Sequence, residues 1–318
     1  MFTNNIAKRI LFAPPLQGAD TLLILSGYAT PNMASWLIKS FQEQNMYPVN
    51  ISLLIGMVPY DGLSVPIHEG FMELHGKAYP NAVDRFSCSY VCENPPVHAN
   101  LYLWLKGESP VQAYTGSADF VQNAFIQSRK EIVVCCDPEE AYKFYEEVEA
   151  NSIYCNHAEV EDHIVLRPTH QILDAENNPL TTLAGEGITS TTLSLLTNKG
   201  EVGEKSGLNW GQRKGRNRNQ AYIHLPSKIA GSGFFPLDKQ HFTVITDDGH
   251  TILLRVEQQN NKAITTPLSN AQLGEYFRNR LGLGNGAFVT KQDLLNYGRT
   301  DVTFYKIDDE QYFMDFHV

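Results

Sequence analysis

The N-terminal half of the chain alternates two patterns, a short run that is apolar throughout and a stretch with helical periodicity. Thr21–Gly27 is such a run and ends in glycine; beyond Pro31, the residues Met33, Trp36, Leu37 and Phe41 share one helical face. Val49–Ile55 repeats the run and ends at Gly56, Val65–Leu74 again has helical spacing, and Asp84–Val91 reads as a further strand. A strand that is apolar on both faces has none to give to water. Its alternation with helices therefore predicts an α/β domain, a mixed or parallel sheet covered by helices. At 318 residues the chain exceeds what one core usually supports, so two domains are expected.

Beyond about residue 205 the texture changes. Short β-rich runs, Gln220–Leu225, Phe242–Thr246, Thr251–Gln258, Ala263–Thr266 and Val302–Ile307, are broken by helical patches at Pro226–Ala230 and Asn270–Leu281. Many short strands joined by turns such as Asp247-Asp248-Gly249 predict a small, mostly β barrel. The expected division is a first domain over 1–160, a connector over 161–204 and a second domain over 205–318. The connector has strand-like pieces of its own at Ile164–Leu166 and Thr191–Leu196.

The centre of the first domain carries the chemistry. Pro95-Pro96 leads into His98-Ala99-Asn100-Leu101-Tyr102-Leu103-Trp104, where His98, Asn100, Tyr102, Trp104 and Lys106 alternate with Leu101, Leu103 and Leu105. A turn at Gly107–Pro110 returns the chain as Val111–Thr115, which delivers Gly116-Ser117-Ala118-Asp119. A helix is expected over Phe120–Gln127, and Glu131 opens the next apolar run, to Cys136. One imidazole, one Gly-Ser turn and one carboxylate can thus converge at the ends of neighbouring strands. A phosphodiester-cleaving site needs such a set: a nucleophile that can leave again, a proton donor for the departing oxygen, and groups that hold the phosphoryl oxygens.

In order and spacing, these residues resemble the phospholipase D superfamily, in the branch formed by restriction endonucleases of the NgoFVII, NgoAVII and BfiI type. The signature there is His-x-Lys entering a strand, Gly-Ser-x-Asn about twenty residues on, then an acidic residue. The resemblance implies catalytic roles for His98, Asn100, Ser117, Asp119 and Glu131. It implies a phosphohistidine intermediate, a second His that protonates the leaving group, and neither metal nor cofactor. Only one copy of the motif is found here, so two chains would pool their motifs as a homodimer formed by the nuclease domain. The sequence departs from the pattern twice, with Asn100 where lysine is expected and Asp119 where asparagine is. One change loses a cation and the other gains an anion at a phosphate site, which leaves an alternative: a DNA-binding protein whose impaired nuclease domain serves dimerisation. A second literal match, His75-Gly76-Lys77, has no Gly-Ser turn after it and reads as the end of a surface helix.

Charge is segregated along the chain. The net value is -10, and Asp137–Asp162 holds nine acids against Lys143 alone, yet Lys205–Arg218 holds five cations and no acid. That basic loop, Ser206–Gln220, is rich in Gly, Asn, Gln and Arg, side chains that pair with base edges. A second polar turn at Arg255–Lys262 has the same character. Residues from about 205 to 316 resemble the B-three DNA-binding pseudobarrel of plant transcription factors and of the EcoRII and BfiI enzymes, which grips double-stranded DNA with two arms. The resemblance assigns DNA contacts to Asn209, Trp210, Gln212, Arg213, Lys214, Arg216, Arg218 and Asn219 on the first arm. Gln258, Gln259, Asn260, Asn261 and Lys262 fall on the second. It also brings in, as partners of such enzymes, a helicase-like ATPase and a cognate DNA methyltransferase.

Five cysteines, an odd number without zinc-knuckle spacing, suit a reducing compartment; Cys88, Cys92, Cys155 and His157 are read as core and surface residues before metal ligands. With no apolar run of membrane-spanning length and no signal-like start, a cytoplasmic protein without membrane partners is expected.

Overall fold

The computed structural model describes residues 1–46, 48–126, 129–167 and 188–318. The chain divides into two compact units, Met1–Gln171 and Ile172–Val318.

The first unit is built on a seven-stranded mixed sheet. Its strands are β1 (Thr21–Ser26), β2 (Val49–Ile55), β4 (Val83–Val91), β5 (Leu101–Lys106), β6 (Ser109–Gly116), β7 (Val133–Cys136) and β8 (Ser152–Tyr154), in the order β7-β6-β5-β1-β2-β4-β8. Two small strands, β3 (Leu63–Ser64) and β9 (Leu166–Arg167), pair separately. The β1, β2 and β4 strands run parallel, while β5, β6 and β7 form an antiparallel meander beside β1. The central strands are buried on both faces, as their unbroken apolar runs require. On one face Leu101, Leu103 and Leu105 pack with Leu23, Leu25 and Leu54 beneath Ala141, Tyr145 and Val148 of the acidic helix Pro138–Glu149. On the other, Trp104 donates its indole N–H to the Ile10 carbonyl at 2.7 Å and Tyr102 packs against Phe120 and Phe125. The acidic helix is N-capped by Asp137, whose carboxylate accepts the Glu139 and Glu140 N–H groups at 3.0 Å.

The second unit is a nearly closed sheet of seven strands: β10 (Ser190–Ser194), β11 (Ile223–His224), β12 (His241–Thr246), β13 (Thr251–Glu257), β14 (Ala263–Thr265), β15 (Asp301–Lys306) and β16 (Gln311–Asp315). Their order is β10-β15-β16-β12-β13-β14-β11, with β12 and β16 parallel and the terminal strands β10 and β11 approaching each other. Phe235, Phe242, Phe304 and Tyr312 fill the interior as a ring cluster. The α/β unit followed by a mostly β pseudobarrel is the expected architecture.

Several expected boundaries shift. Parts of the span read as connector belong to the two units: β9 pairs with β3, and β10 pairs with β15. Residues 168–187 of that span lie outside the described residues. The expected helix Phe120–Gln127 is one turn, Gln122–Phe125, with Gln127 also outside the described residues, and β7 begins two residues after Glu131. His75 ends the Val65–Leu74 helix, where its Nδ1 accepts the Cys88 N–H at 3.1 Å, so the second His-x-Lys match is a helix end. Cys88 and Cys155 are buried neighbours on β4 and beside β8, and burial pushes the Cys88 thiol up. Among the described residues no helix is long and apolar enough to cross a membrane.

Candidate active site and nucleic-acid interface

Because β5 and β7 run antiparallel to β1 and β6, the C-terminal ends of β1 and β6 and the entries to β5 and β7 all fall at one edge of the sheet. That edge collects Ser26-Gly27, His98-Ala99-Asn100, Gly116-Ser117 and Glu131-Ile132. Glycines permit the crowding. A Cβ on Gly27 would stand 2.6 Å from His98 Cδ2, and one on Gly116 would stand 2.8 Å from Val133 Cα and closer still to the Ile132 carbonyl oxygen. Gly56 likewise gives way to the Val97 carbonyl, and the Val97 N–H bonds back to the Gly56 carbonyl at 3.1 Å, which fixes the segment that presents His98.

His98 is exposed in the loop before β5, not within the strand as the alternation suggested, and Tyr28 packs edge-on to it with ring centroids 5.7 Å apart. The Tyr28 hydroxyl donates to Asp61 at 2.7 Å; this bond, with burial and the charges of Asp61 and Asp119, raises the phenol above its ordinary value. A cavity of about 300 Å³ opens beside this pair, lined by Met57, Val58, Leu63 and Ile67 among others. Asn100 is 6% exposed and fully engaged: its Oδ1 accepts from Ser26 Oγ at 2.8 Å and from the Gly27 N–H at 3.3 Å, and its Nδ2 faces the Gly116 carbonyl at 3.5 Å. It ties the β1, β5 and β6 ends together and brings no cation to a phosphate.

Ser117 hydrogen-bonds through its hydroxyl to Glu131 Oε2, and its Oγ accepts the Ile132 N–H at 3.0 Å. Glu131 is 5% exposed, and its other oxygen faces Arg129 Nε at 3.1 Å. Asp119 has one buried carboxylate oxygen without a hydrogen-bond partner among the described residues. Its charge and that of Glu131 add to burial in raising the nearby Tyr102 phenol, whose hydroxyl donates to the Ala118 carbonyl at 2.7 Å and so holds the turn. The structure therefore brings His98, Asn100, Ser117, Asp119 and Glu131 to one edge. It adds Ser26, Tyr28 and Arg129, which the motif does not contain. Arg129 precedes β7 and is not in a strand, so its contact with Glu131 is a feature of the loop that no strand pattern announces. Among the described residues no group of three or more His, Cys, Asp or Glu side chains is disposed around a metal.

In the second unit the loop between β10 and β11 and the β13–β14 turn stand at opposite ends of the short β11·β14 ladder. The first arm is ordered from within. Gly211 packs against the Asn217–Arg218 backbone and its N–H donates to the Gln220 carbonyl at 2.7 Å, so this glycine serves the loop's own close approach. Arg216 lies over the Trp210 ring, its guanidinium carbon 4.1 Å from the centroid, and donates to Gln220 Oε1 at 2.9 Å. Arg213 donates from Nε to the Lys205 carbonyl at 2.8 Å. Arg213, Lys214, Arg216 and Arg218 are exposed.

Three residues expected to touch DNA are hydrogen-bonded within the unit. Asn209 is wholly buried, donating to the Val289 carbonyl at 2.7 Å and accepting the Val289 N–H at 2.8 Å. Asn219 donates to Glu275 at 3.0 Å and accepts the Gly286 N–H at 2.6 Å. Gln212 donates to the Gly286 carbonyl at 3.1 Å. Their amides pair with backbone because the arm's base needs partners for buried N–H and C=O groups. On the second arm Gln258, Asn260 and Asn261 have φ of 70°, 64° and 55°, a left-handed turn that asparagine tolerates, while Gln258, Gln259, Asn260 and Lys262 are exposed.

Two family models match. Residues 4–162 match the NgoFVII restriction endonuclease N-terminal PLD domain, and residues 183–308 match the NgoFVII C-terminal B3-like DNA-binding domain. The chain belongs to the NgoFVII restriction endonuclease family. Membership makes the first unit a nuclease-type PLD domain and the second a DNA-binding domain, with DNA as its partner. Among solved structures the chain is similar to NucT from Helicobacter pylori, at 14% identity and a TM-score of 0.32, covering 48% of this chain and 96% of that one. Polyphosphate kinase from Porphyromonas gingivalis gives 14% identity and a TM-score of 0.29 over 51% of this chain and 24% of that one. Likenesses this remote say nothing of activity. No curated protein matches the chain.

Proposed function

We propose that this chain is a sequence-specific DNA endonuclease that cuts through a phosphohistidine at His98 and needs no metal. The supporting observation is the convergence of His98, Ser117 and Glu131 on one sheet edge, held by Asn100 and Ser26. In this reading an imidazole nitrogen of His98 attacks phosphorus. The bond to the leaving oxygen breaks as the same His98 in a second copy of the chain gives that oxygen its proton. Water, deprotonated by that second imidazole, then attacks the phosphohistidine and frees His98. A homodimer formed by the PLD domain is part of the proposal, since one chain supplies one imidazole. The exposed arm residues Arg213, Lys214, Arg216, Arg218, Gln258, Gln259, Asn260 and Lys262 would place the duplex, with half-buried Trp210 and Asn261 supporting them. The helicase-like ATPase and the methyltransferase rest on the family resemblance alone.

A second reading has its own observation. Asn100 is consumed by backbone and Ser26, and Asp119 adds a carboxylate, so the PLD domain would dimerise without cutting. Plasmid DNA incubated with the full chain and EDTA separates the two: discrete fragments support the endonuclease, whereas specific gel shifts with intact DNA, with and without divalent ions, support the second reading.

A further inference from the structure

The candidate site has a charge problem. A phosphodiester is an anion, Asp119 and Glu131 are carboxylates, and Asn100 brings no cation where the family pattern has one. Lys106 is at the far end of β5, where its Nζ would be 3.5 Å from a Cβ on Gly18. Lys130 is exposed and has no ion pair with Glu131 among the described residues. Arg129 is different. Its Nε lies 3.1 Å from Glu131 Oε1, its side chain is 55% exposed against 5% for Glu131, and no other partner of the guanidinium is found among the described residues. Glu131 in turn hydrogen-bonds Ser117, which follows the Gly116 whose carbonyl faces Asn100.

We infer that Arg129 supplies the phosphate-holding cation of this site in place of the missing lysine. The guanidinium is planar and carries five N–H donors. Ion-paired to Glu131 at its Nε end, it has four N–H donors on Nη1 and Nη2 for two phosphoryl oxygens, the fork geometry that suits a phosphate. Glu131 thereby acquires a positioning role, orienting the arginine while taking the Ser117 hydroxyl. Arg129 precedes β7 and His98 precedes β5, strands two spacings of about 4.8 Å apart, which leaves room for a phosphate between the two side chains. Removing Arg129 would leave the Glu131 carboxylate without an ion-pair partner among the described residues.

The inference rests on the reading of this edge as a phosphodiester site, and the test separates the two. Full-length protein labelled with ¹³C at histidine Cε1 is titrated with inorganic phosphate, following the His98 resonance assigned by its loss in His98→Ala. Phosphate should shift that resonance in the wild type. Arg129→Gln should weaken the phosphate affinity read at His98 by about tenfold or more, the worth of a charge-assisted hydrogen bond. Arg129→Lys should fall between the two. Asn100→Lys in the Arg129→Gln background should restore binding. Because Arg129 is more than half exposed, both single variants should remain folded, which thermal unfolding checks. Equal phosphate affinity in wild type and Arg129→Gln, no effect of phosphate on His98 in the wild type, or equal losses in the Lys and Gln variants would each overturn the assignment. Arg129-dependent phosphate binding in a protein that leaves DNA intact would instead overturn the endonuclease reading and keep this one.

Discussion

Gly116→Ala isolates the geometry of the strand ends from their chemistry. Gly116 does not have a positive φ, so alanine brings no backbone penalty of its own; the added methyl meets only its neighbours. It would stand 2.8 Å from Val133 Cα and 2.9 Å from the Ile132 carbonyl carbon. Carbon atoms settle at about 3.5 Å or more, so β6 and the entry to β7 must part by roughly 0.7 Å, and further to clear the Ile132 oxygen. Ser117 and Glu131, whose hydrogen bond spans that gap, would be displaced relative to His98 by about the same distance. Displacements near 1 Å cost about 100-fold in rate, and overpacking a tight contact costs about 1–3 kcal/mol of stability. Single-turnover cleavage of a DNA fragment carrying the recognition sequence should therefore slow by about two orders of magnitude at a temperature where the variant is folded, while gel-shift affinity holds. Cleavage at the wild-type rate would refute the claim that this edge is the reacting centre.

Other expectations follow from the second unit. Asn209→Ala leaves the buried Val289 N–H and C=O unpaired and should lower stability by about 2–5 kcal/mol, read in urea unfolding, whereas Arg216→Ala should leave stability unchanged and weaken specific binding by about 1–3 kcal/mol; the reverse pattern would return Asn209 to the reading set. Trp210→Ala frees the Arg216 guanidinium from its ring, so discrimination between cognate and single-mismatch duplexes should shrink by about 0.5–2 kcal/mol with non-specific affinity intact, and equal losses on both would point to general loop damage. At Asp247, burial by itself would raise the carboxyl, but hydrogen bonds from Arg280 and the Phe316 N–H outweigh it and hold the group below its ordinary value. Its contribution is thus complete above the unfolded-state value of about 3.9 and fades as pH falls through the lower folded value. Asp247→Asn should flatten the loss of stability with acid in that window; an unchanged slope would discount the pair.

The fold was legible because its signals are local. Doubly apolar runs such as Leu22–Leu25 and Leu53–Ile55 announce a covered sheet, and the His, Gly-Ser and Glu spacing announces a shared edge. What stayed hidden depends on partners distant in sequence. Asn209 reads as a base-contacting amide until Val289, 80 residues away, is seen to use both of its atoms. Asn100 reads as a lost lysine, yet its carbonyl oxygen receives two hydrogen bonds from the end of β1. Glycines in the basic loop suggest room for DNA, whereas Gly211 is needed where the loop folds onto its own backbone. Arg129 meets Glu131 in the loop before β7, where no strand periodicity marks it.

The central claim is that His98 becomes covalently attached to DNA phosphorus, and the stereochemistry at phosphorus measures it. Each in-line displacement inverts the centre, so two displacements through a phosphohistidine retain the configuration of a chiral phosphorothioate at the cut position. Net retention, with loss of all cleavage in His98→Ala, is the expected result. Net inversion would mean a single attack by water and would contradict the mechanism proposed for this site.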